Sequence, residues 1–177
     1  IILFIALLAI ISSCKKDEEK QGKPYLIVLS LDGFRWNYTN YANTPNFDSL
    51  KSIGVMAESL NPSFPTKTFP NHYTLATGLY PDHHGIINNS FYASELDGIY
   101  RIGDRDMVTN PDSYFGEPIW VTAEKQGVKT ASYFWVGSEA AIMGTYPSYW
   151  YTYDQSVPYG PRVDQVIEWL KLPLAER

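Results

Sequence analysis

The hydrophobic positions fall into short blocks separated by turn residues, and the period of those blocks changes along the chain. Pro24 to Leu31, PYLIVLSL, is apolar almost without a break. Such a run predicts a strand buried on both faces, ending at Asp32-Gly33. Thr44-Pro45 then predicts a helix start, with threonine as cap and proline at the first helical position. Phe47, Leu50 and Ile53 carry its apolar face up to Gly54. Val55 to Leu60 reads as a second short strand. A loop rich in proline and threonine follows over 62–70, and the next helix is expected from about Pro70, through Tyr73, Leu75 and Ala76, to Gly78. Residues 86–103 predict short strands with a hairpin at Asp97-Gly98. A helix over 118–126 closed by Gly127, a strand over 129–136 and a helix over about 161–171 follow, the last with Val163, Val166, Ile167 and Leu170 on one face. Strand and helix alternate, which predicts an α/β domain with a mostly parallel sheet flanked by helices. In such sheets ligands bind beyond the carboxyl ends of the strands, where Asp32 is expected.

The first 23 residues are patterned differently. Ile1 to Ile11 are all apolar. As a helix they span about 16 Å, too short to cross a bilayer but the length of a signal peptide's apolar region. Ser12-Ser13-Cys14 follows, small residues ahead of a cysteine, as where bacterial lipoprotein signal peptides are cut and the cysteine is lipidated. The competing reading is an ordinary signal peptide with an incidental cysteine. Lipidation is favoured because Cys14 is the single cysteine and sits at the cut. Residues 15–23, KKDEEKQGK, read as a charged tether. The expected organisation is a signal peptide, truncated at its start, over 1–13, the lipidated Cys14 and tether over 14–23, and a folded domain over 24–177. The expected place is the cell envelope, lipid-anchored to a membrane at the periplasmic face or the cell surface.

Composition changes the picture in three ways. Hydrophobic residues make up 45% of 177, enough to bury a core and too many for a disordered chain. The net charge is −5, so no basic face for a nucleic-acid polymer is expected. The 14 tyrosines and 5 tryptophans predict many core rings and leave room for aromatic-walled pockets.

Few residues are placed to carry chemistry. Asp32 would be a hard carboxylate ligand on a rigid strand end, or simply a turn aspartate. In Pro65-Thr66-Lys67-Thr68-Phe69-Pro70-Asn71-His72, Thr68 lies just before a helix start, where backbone N–H groups and the dipole favour a phosphate. Its hydroxyl could attack phosphorus if a bound cation lowered its pKa; the plain alternative is a helix cap. Thr66 is a second candidate hydroxyl, further from the helix start. His72, His83 and His84 are all the histidines, the first in a helical turn and the others in a loop turn. Asn88 or Asn89 could donate an amide to a phosphoryl oxygen, or shape a turn. Tyr146, Tyr149, Trp150, Tyr151 and Tyr153 would stack on a nucleobase or form a packed loop.

These residues together carry a resemblance. The run PTKTFPNHYTLATGLYPDHHGIINN over 65–89 resembles the active-site segment of the nucleotide pyrophosphatase/phosphodiesterase family, a branch of the alkaline phosphatase superfamily. LSLDGFR, 29–35, resembles that family's first metal-ligand strand, and 134–173, with FWVGSEAAIMG and YDQSVPYGPRVDQVIEWLKLP, resembles the segments that follow. The resemblance runs from about residue 24 to the end. It implies an alkaline-phosphatase-like α/β fold and a hydrolase cleaving phosphodiester or pyrophosphate bonds of small nucleotide-type substrates between two zinc ions. It implies Thr68 as the nucleophile, passing through a phosphothreonine, with Asp32 and the Thr68 oxygen as ligands of one zinc. Asn89 would hold a non-bridging phosphoryl oxygen, Phe69 would face the leaving or base group, and Tyr153 would stack on a base. The family's other ligands are an Asp-x-x-x-His, an adjacent Asp-His and one further His, and no histidine follows His84 here. The expectation is therefore the N-terminal part of a longer enzyme, incomplete at its C-terminus and inactive as it stands. Two alternatives stay open: a phosphomonoesterase or other hydrolase of the superfamily, and a non-catalytic envelope lipoprotein that binds nucleotides or lipid headgroups.

Overall fold

A computed structural model describes residues 24–177; the signal peptide, Cys14 and the tether lie outside them. The described residues divide into two compact units at Phe34/Arg35.

In the first unit, 24–31 is not a strand. Leu26 and Leu29 are 76% and 74% exposed. The apolar run is there, but a strand exists only when a neighbouring strand supplies the other half of its ladder. The segment closes on a turn in which the Phe34 N–H donates to the Leu31 carbonyl at 3.2 Å, with Gly33 at φ 68°. Asp32 therefore sits in a turn and not at the end of a strand.

The second unit opens on a 3-10 turn, Tyr38–Asn40, followed by helix α1, Pro45–Ile53. Pro45 opens it as expected, but Thr44 makes no side-chain capping bond, and its hydroxyl is buried without a partner. Residues 55–60 form no strand; Val55 and Leu60 are exposed. Helix α2, Thr68–Thr77, starts two residues earlier than expected and ends at Gly78 with φ 70°. Helix α3, Pro81–His84, has proline in its first turn and stops at Gly85 with φ 83°. A Cβ at residue 85 would lie 2.6 Å from the Phe115 ring. Glycine is thus required there twice over, by the left-handed backbone and by the ring. The turn it makes sends residues 86–89 back toward α2.

Strands β1, Ser90–Ala93, and β2, Gly98–Arg101, form the expected hairpin, antiparallel with Phe91 opposite Tyr100. Helix α4, Arg105–Thr109, is capped by the Asp104 carboxylate, and helix α5, Ile119–Lys125, follows. The strand expected over 129–136 shrinks to β3, Ala131–Ser132, which pairs in parallel with β4, Tyr149–Trp150. Helix α6, Tyr159–Leu170, carries the last apolar face. The sheet of the described residues is thus one antiparallel and one parallel pair, a modest part of the expected mostly parallel sheet.

The core lies between α2, the hairpin and α5. Tyr73, Tyr100, Tyr114, Ile86, Val121 and Ile142 are buried there. Tyr73 and Tyr114 meet edge to face at 5.1 Å, and the Tyr114 hydroxyl donates to the Val108 carbonyl at 2.9 Å. The Tyr73 hydroxyl is buried without a partner, so much of the aromatic richness is core held by edge-to-face ring packing.

Candidate active site

Thr68 is the first residue of α2. The capping position falls on Lys67, in extended conformation and with no side-chain capping bond. The reading of Thr68 as a helix cap is thereby displaced. Pro70, expected to open the helix, is its third residue. A first-turn N–H has no helical acceptor, so proline costs nothing at that depth.

The first-turn donor that does need a partner is Phe69. Its N–H donates to Asn89 Oδ1 at 3.1 Å. That bond fixes the amide of Asn89: the oxygen faces the helix, and Nδ2 is left as the donor. The Asn89 backbone is held as well, its N–H by the Asn88 side chain at 2.8 Å and its carbonyl by the Ile102 N–H at 3.1 Å. Thr68, Phe69 and Asn89 are thus brought together across 21 residues of chain. The arrangement offers a hydroxyl, a helix N-terminus and an amide donor, the parts an anionic phosphoryl group requires. Phe69 is half-buried, its ring edge against Tyr100 at 6.4 Å.

The three histidines sit differently. His72 Nδ1 lies 2.8 Å from the Thr68 carbonyl; a carbonyl only accepts, so Nδ1 carries the proton. The His72 carbonyl in turn accepts from the Trp135 indole at 3.0 Å. His83 is exposed and paired with Asp82. His84 is fully buried.

The aromatic cluster is largely packed on its own rings, with Tyr149 tilted against Trp169 at 6.2 Å. Tyr146 stacks on Trp150 at 4.8 Å, and Tyr151 stacks on Trp169 at 5.7 Å. Tyr153 differs: it is 49% exposed, meets Phe134 edge-on at 5.1 Å, and borders a cavity of about 470 Å³ that Tyr159 and Arg162 also line. Its N–H donates to Glu139 at 2.9 Å, and Glu139 is paired with Arg105. Asp32 belongs to the first unit, in the turn described above. Cys14 lies outside the described residues. Among the described residues no group of three or more His, Cys, Asp or Glu side chains gathers as a metal site, and no helix is long and apolar enough to cross a membrane.

The model of the type I phosphodiesterase / nucleotide pyrophosphatase family matches residues 26–177. The chain belongs to this family. It is 47% identical over 156 residues to ectonucleotide pyrophosphatase/phosphodiesterase family member 3 of Bos taurus, covering 87% of this chain and 18% of that protein. It is 46% identical over 154 residues to a venom phosphodiesterase of Crotalus durissus collilineatus, covering 86% of this chain and 18% of the relative. Murine ectonucleotide pyrophosphatase/phosphodiesterase 5 superposes with a TM-score of 0.76 at 34% identity, over 81% of this chain and 38% of the other. The same murine protein as an inactive threonine-to-alanine variant, in complex with AMP, superposes equally, with TM-score 0.76 at 33% identity, over the same shares of the two chains. The chain spans about a fifth of the length of the curated relatives it matches. The expected alkaline-phosphatase-like α/β class is the fold of this phosphodiesterase-family chain.

Several residues of the site lie outside the expected set. Asn71 and Ser63 hold the loop ahead of Thr68, and Glu139 with Arg105 holds Tyr153. Asn71 was in view, inside the 65–89 run, but its role comes from contacts with carbonyls that leave no mark on spacing.

Proposed function

We propose that the protein of which this chain is part hydrolyses phosphodiester or pyrophosphate bonds of nucleotide-type substrates, with Thr68 as nucleophile. The observation that carries the reading is the bond from the Phe69 N–H to Asn89 Oδ1, which seats an amide donor beside the residue following the first-turn hydroxyl. The membership of the chain in the phosphodiesterase family supports the class of reaction.

In this reading the Thr68 oxygen attacks phosphorus, the bond from phosphorus to the leaving alcohol or phosphate breaks, and the leaving group takes up the proton the hydroxyl gives up. A phosphothreonine that still carries the nucleoside remains. Water then attacks that phosphorus, one of its protons returning to the departing Thr68 oxygen and the rest of it staying on phosphorus, and the nucleoside monophosphate departs. Asn89 Nδ2 donates to a non-bridging oxygen, whose charge grows in the transition state. Phe69 and Tyr153 border the leaving group and the base.

The two-zinc part of the reading rests on the donor chemistry of single residues. Thr68 in the second unit and Asp32 in the first each offer an oxygen of a kind zinc accepts. Neither unit's described residues complete a zinc shell, so no step is derived through the metal. When bound, such an ion lowers the pKa of a hydroxyl it contacts.

The test is a comparison of nitrophenyl thymidine monophosphate with nitrophenyl phosphate on the full-length gene product. The diester is expected to be the better substrate by kcat/KM; preference for the monoester would sink the reading. In the same assay Tyr153→Ala should raise KM for the nucleotide diester about tenfold, since one base stack contributes about 1–3 kcal/mol. It should leave the KM of bis-nitrophenyl phosphate, which has no base, within about twofold on the same stacking argument. An equal rise for both would remove Tyr153 from the base site.

We propose also that Cys14 carries a lipid that anchors the protein to the cell envelope. Metabolic incorporation of labelled fatty acid, lost on Cys14→Ser, is the expected result; incorporation unaffected by that change would overturn it.

A further inference from the structure

Behind Thr68 runs a set of polar side chains with no part in the reaction above. Each hydrogen in it can be assigned. The Ile86 N–H faces His84 Nδ1 at 3.2 Å. An amide can only donate, so Nδ1 is the acceptor and Nε2 carries the proton. Nε2 then donates to Thr74 Oγ1 at 3.0 Å. The Ser63 N–H donates to Asn71 Oδ1 at 2.8 Å, which fixes that amide's orientation. The Ser63 hydroxyl, 3.1 Å from the same oxygen, must donate to it as well. Its lone pairs are left to accept from Thr74, at 3.3 Å. The donor order therefore runs one way, from His84 to Thr74 to Ser63 to Asn71.

The chain ends where it matters. Asn71 Nδ2 donates to the carbonyls of Lys67 at 2.9 Å and Pro65 at 3.1 Å, and to that of Ser63 at 3.4 Å. The Asn71 N–H also bonds the Lys67 carbonyl, at 3.2 Å. Side chain and main chain of one residue thus grip the residue immediately before Thr68. We propose that this one-way chain from His84 to Asn71 holds the turn that presents the Thr68 hydroxyl, so that Ser63, Thr74 and Asn71 are positioning residues of the reaction. The proposal rests on the assignment of Thr68 as nucleophile.

Two features set the chain apart from ordinary loop bonding. His84, at the head of the chain, is fully buried and Ser63, inside it, is 8% exposed, so water is poorly placed to replace a partner lost at either residue. Burial also holds the His84 imidazole below its ordinary pKa, which keeps Nδ1 available as the acceptor the order requires. A network anchored on two buried members and satisfied at each step favours a single arrangement and rigidifies what it touches. For a nucleophile this counts in rate, since a misplacement of about 1 Å can cost about 100-fold.

The test uses the full-length gene product and nitrophenyl thymidine monophosphate, assayed well below Tm so that lost stability alone leaves kcat unchanged. Ser63→Ala and Thr74→Val each break the chain. Each is expected to lower kcat about 10- to 100-fold with KM within about twofold, and Thr74→Ser, which restores the hydroxyl, should recover kcat to within about threefold by the same positioning argument. Amide exchange of 64–69 should quicken in both broken variants while the hairpin 90–101 stays protected. Unchanged kcat in Ser63→Ala, or a loss in Thr74→Val that Thr74→Ser does not restore, would overturn the proposal. Should Thr74→Val fail to fold, Ser63→Ala decides alone. Thr68→Ala, run in parallel, separates the two failures: turnover surviving it defeats the nucleophile itself, whereas turnover lost there and intact in Ser63→Ala defeats only the positioning chain.

Discussion

Thr68→Ala in the full-length gene product is expected to lower kcat/KM by about 10⁴-fold or more, the order seen when a nucleophile that acts through a covalent intermediate is removed. The helix should be retained: Thr68 occupies a helical position, the cap falls on Lys67, and alanine is the better helix former. Thr66→Ala is the control, since Thr66 lies in the loop outside α2 and should keep turnover within about twofold, as surface changes away from such features have small effects. A third variant, Thr68→Ser, keeps a hydroxyl at the same backbone position and should retain measurable turnover. Trapping of a labelled nucleotidyl group on the protein after acid quench should succeed in the parent and fail in Thr68→Ala. If Thr66→Ala abolished turnover and Thr68→Ala did not, the nucleophile would be reassigned by two residues and the role of Asn89 would fall with it.

That two-residue margin marks how far the site was legible. Proline marks the helix but is compatible with any first-turn position, so the sequence alone points to a start at Pro70 with Thr68 outside. The start at Thr68 changes the chemistry of the alternatives, because a residue inside the helix is no longer the cap. Asn89 was legible as an amide of the right kind, and its partner was not. The bond to the Phe69 N–H depends on the turn at Gly85 and on the Ile102 tie, both matters of three-dimensional return.

The elements divide along the same line. Helices α1, α5 and α6 and the 90–101 hairpin depend on local signals, a proline start, a 3.6-residue stripe, a left-handed Asp97 at φ 46°, and these were readable. The strands expected over 24–31 and 55–60 depend on a neighbour, and apolar content alone cannot supply one. Among the described residues the run 129–136 pairs with Tyr149–Trp150 alone, two residues against two. Tyrosine counts suggested pockets and core without dividing them. The division follows from ring pairing: Tyr73, Tyr100 and Tyr114 are interior, Tyr146 and Tyr151 are occupied by tryptophans, and Tyr153 keeps an open side.

Asn89 separates holding from catalysing, because the two roles need different halves of one amide. Asn89→Asp keeps an oxygen to accept the Phe69 N–H, and a carboxylate near a helix N-terminus is favourable by about 0.3–1 kcal/mol. Its Tm should equal or exceed that of the parent. It loses the Nδ2 donor and sets a negative charge against a phosphoryl oxygen. Its kcat should therefore fall by about 10³-fold, the upper end of what one transition-state donor contributes. Asn89→Ala removes both halves. It should lose about 10²-fold in kcat, without the added repulsion, and Tm should fall by about 2–4 °C for the roughly 1 kcal/mol of a lost helix-end bond. The ordering is the diagnostic: the more stable variant should be the slower one. A purely structural asparagine predicts the reverse, with Asn89→Asp close to the parent in rate and Asn89→Ala impaired in rate only as far as it is impaired in folding.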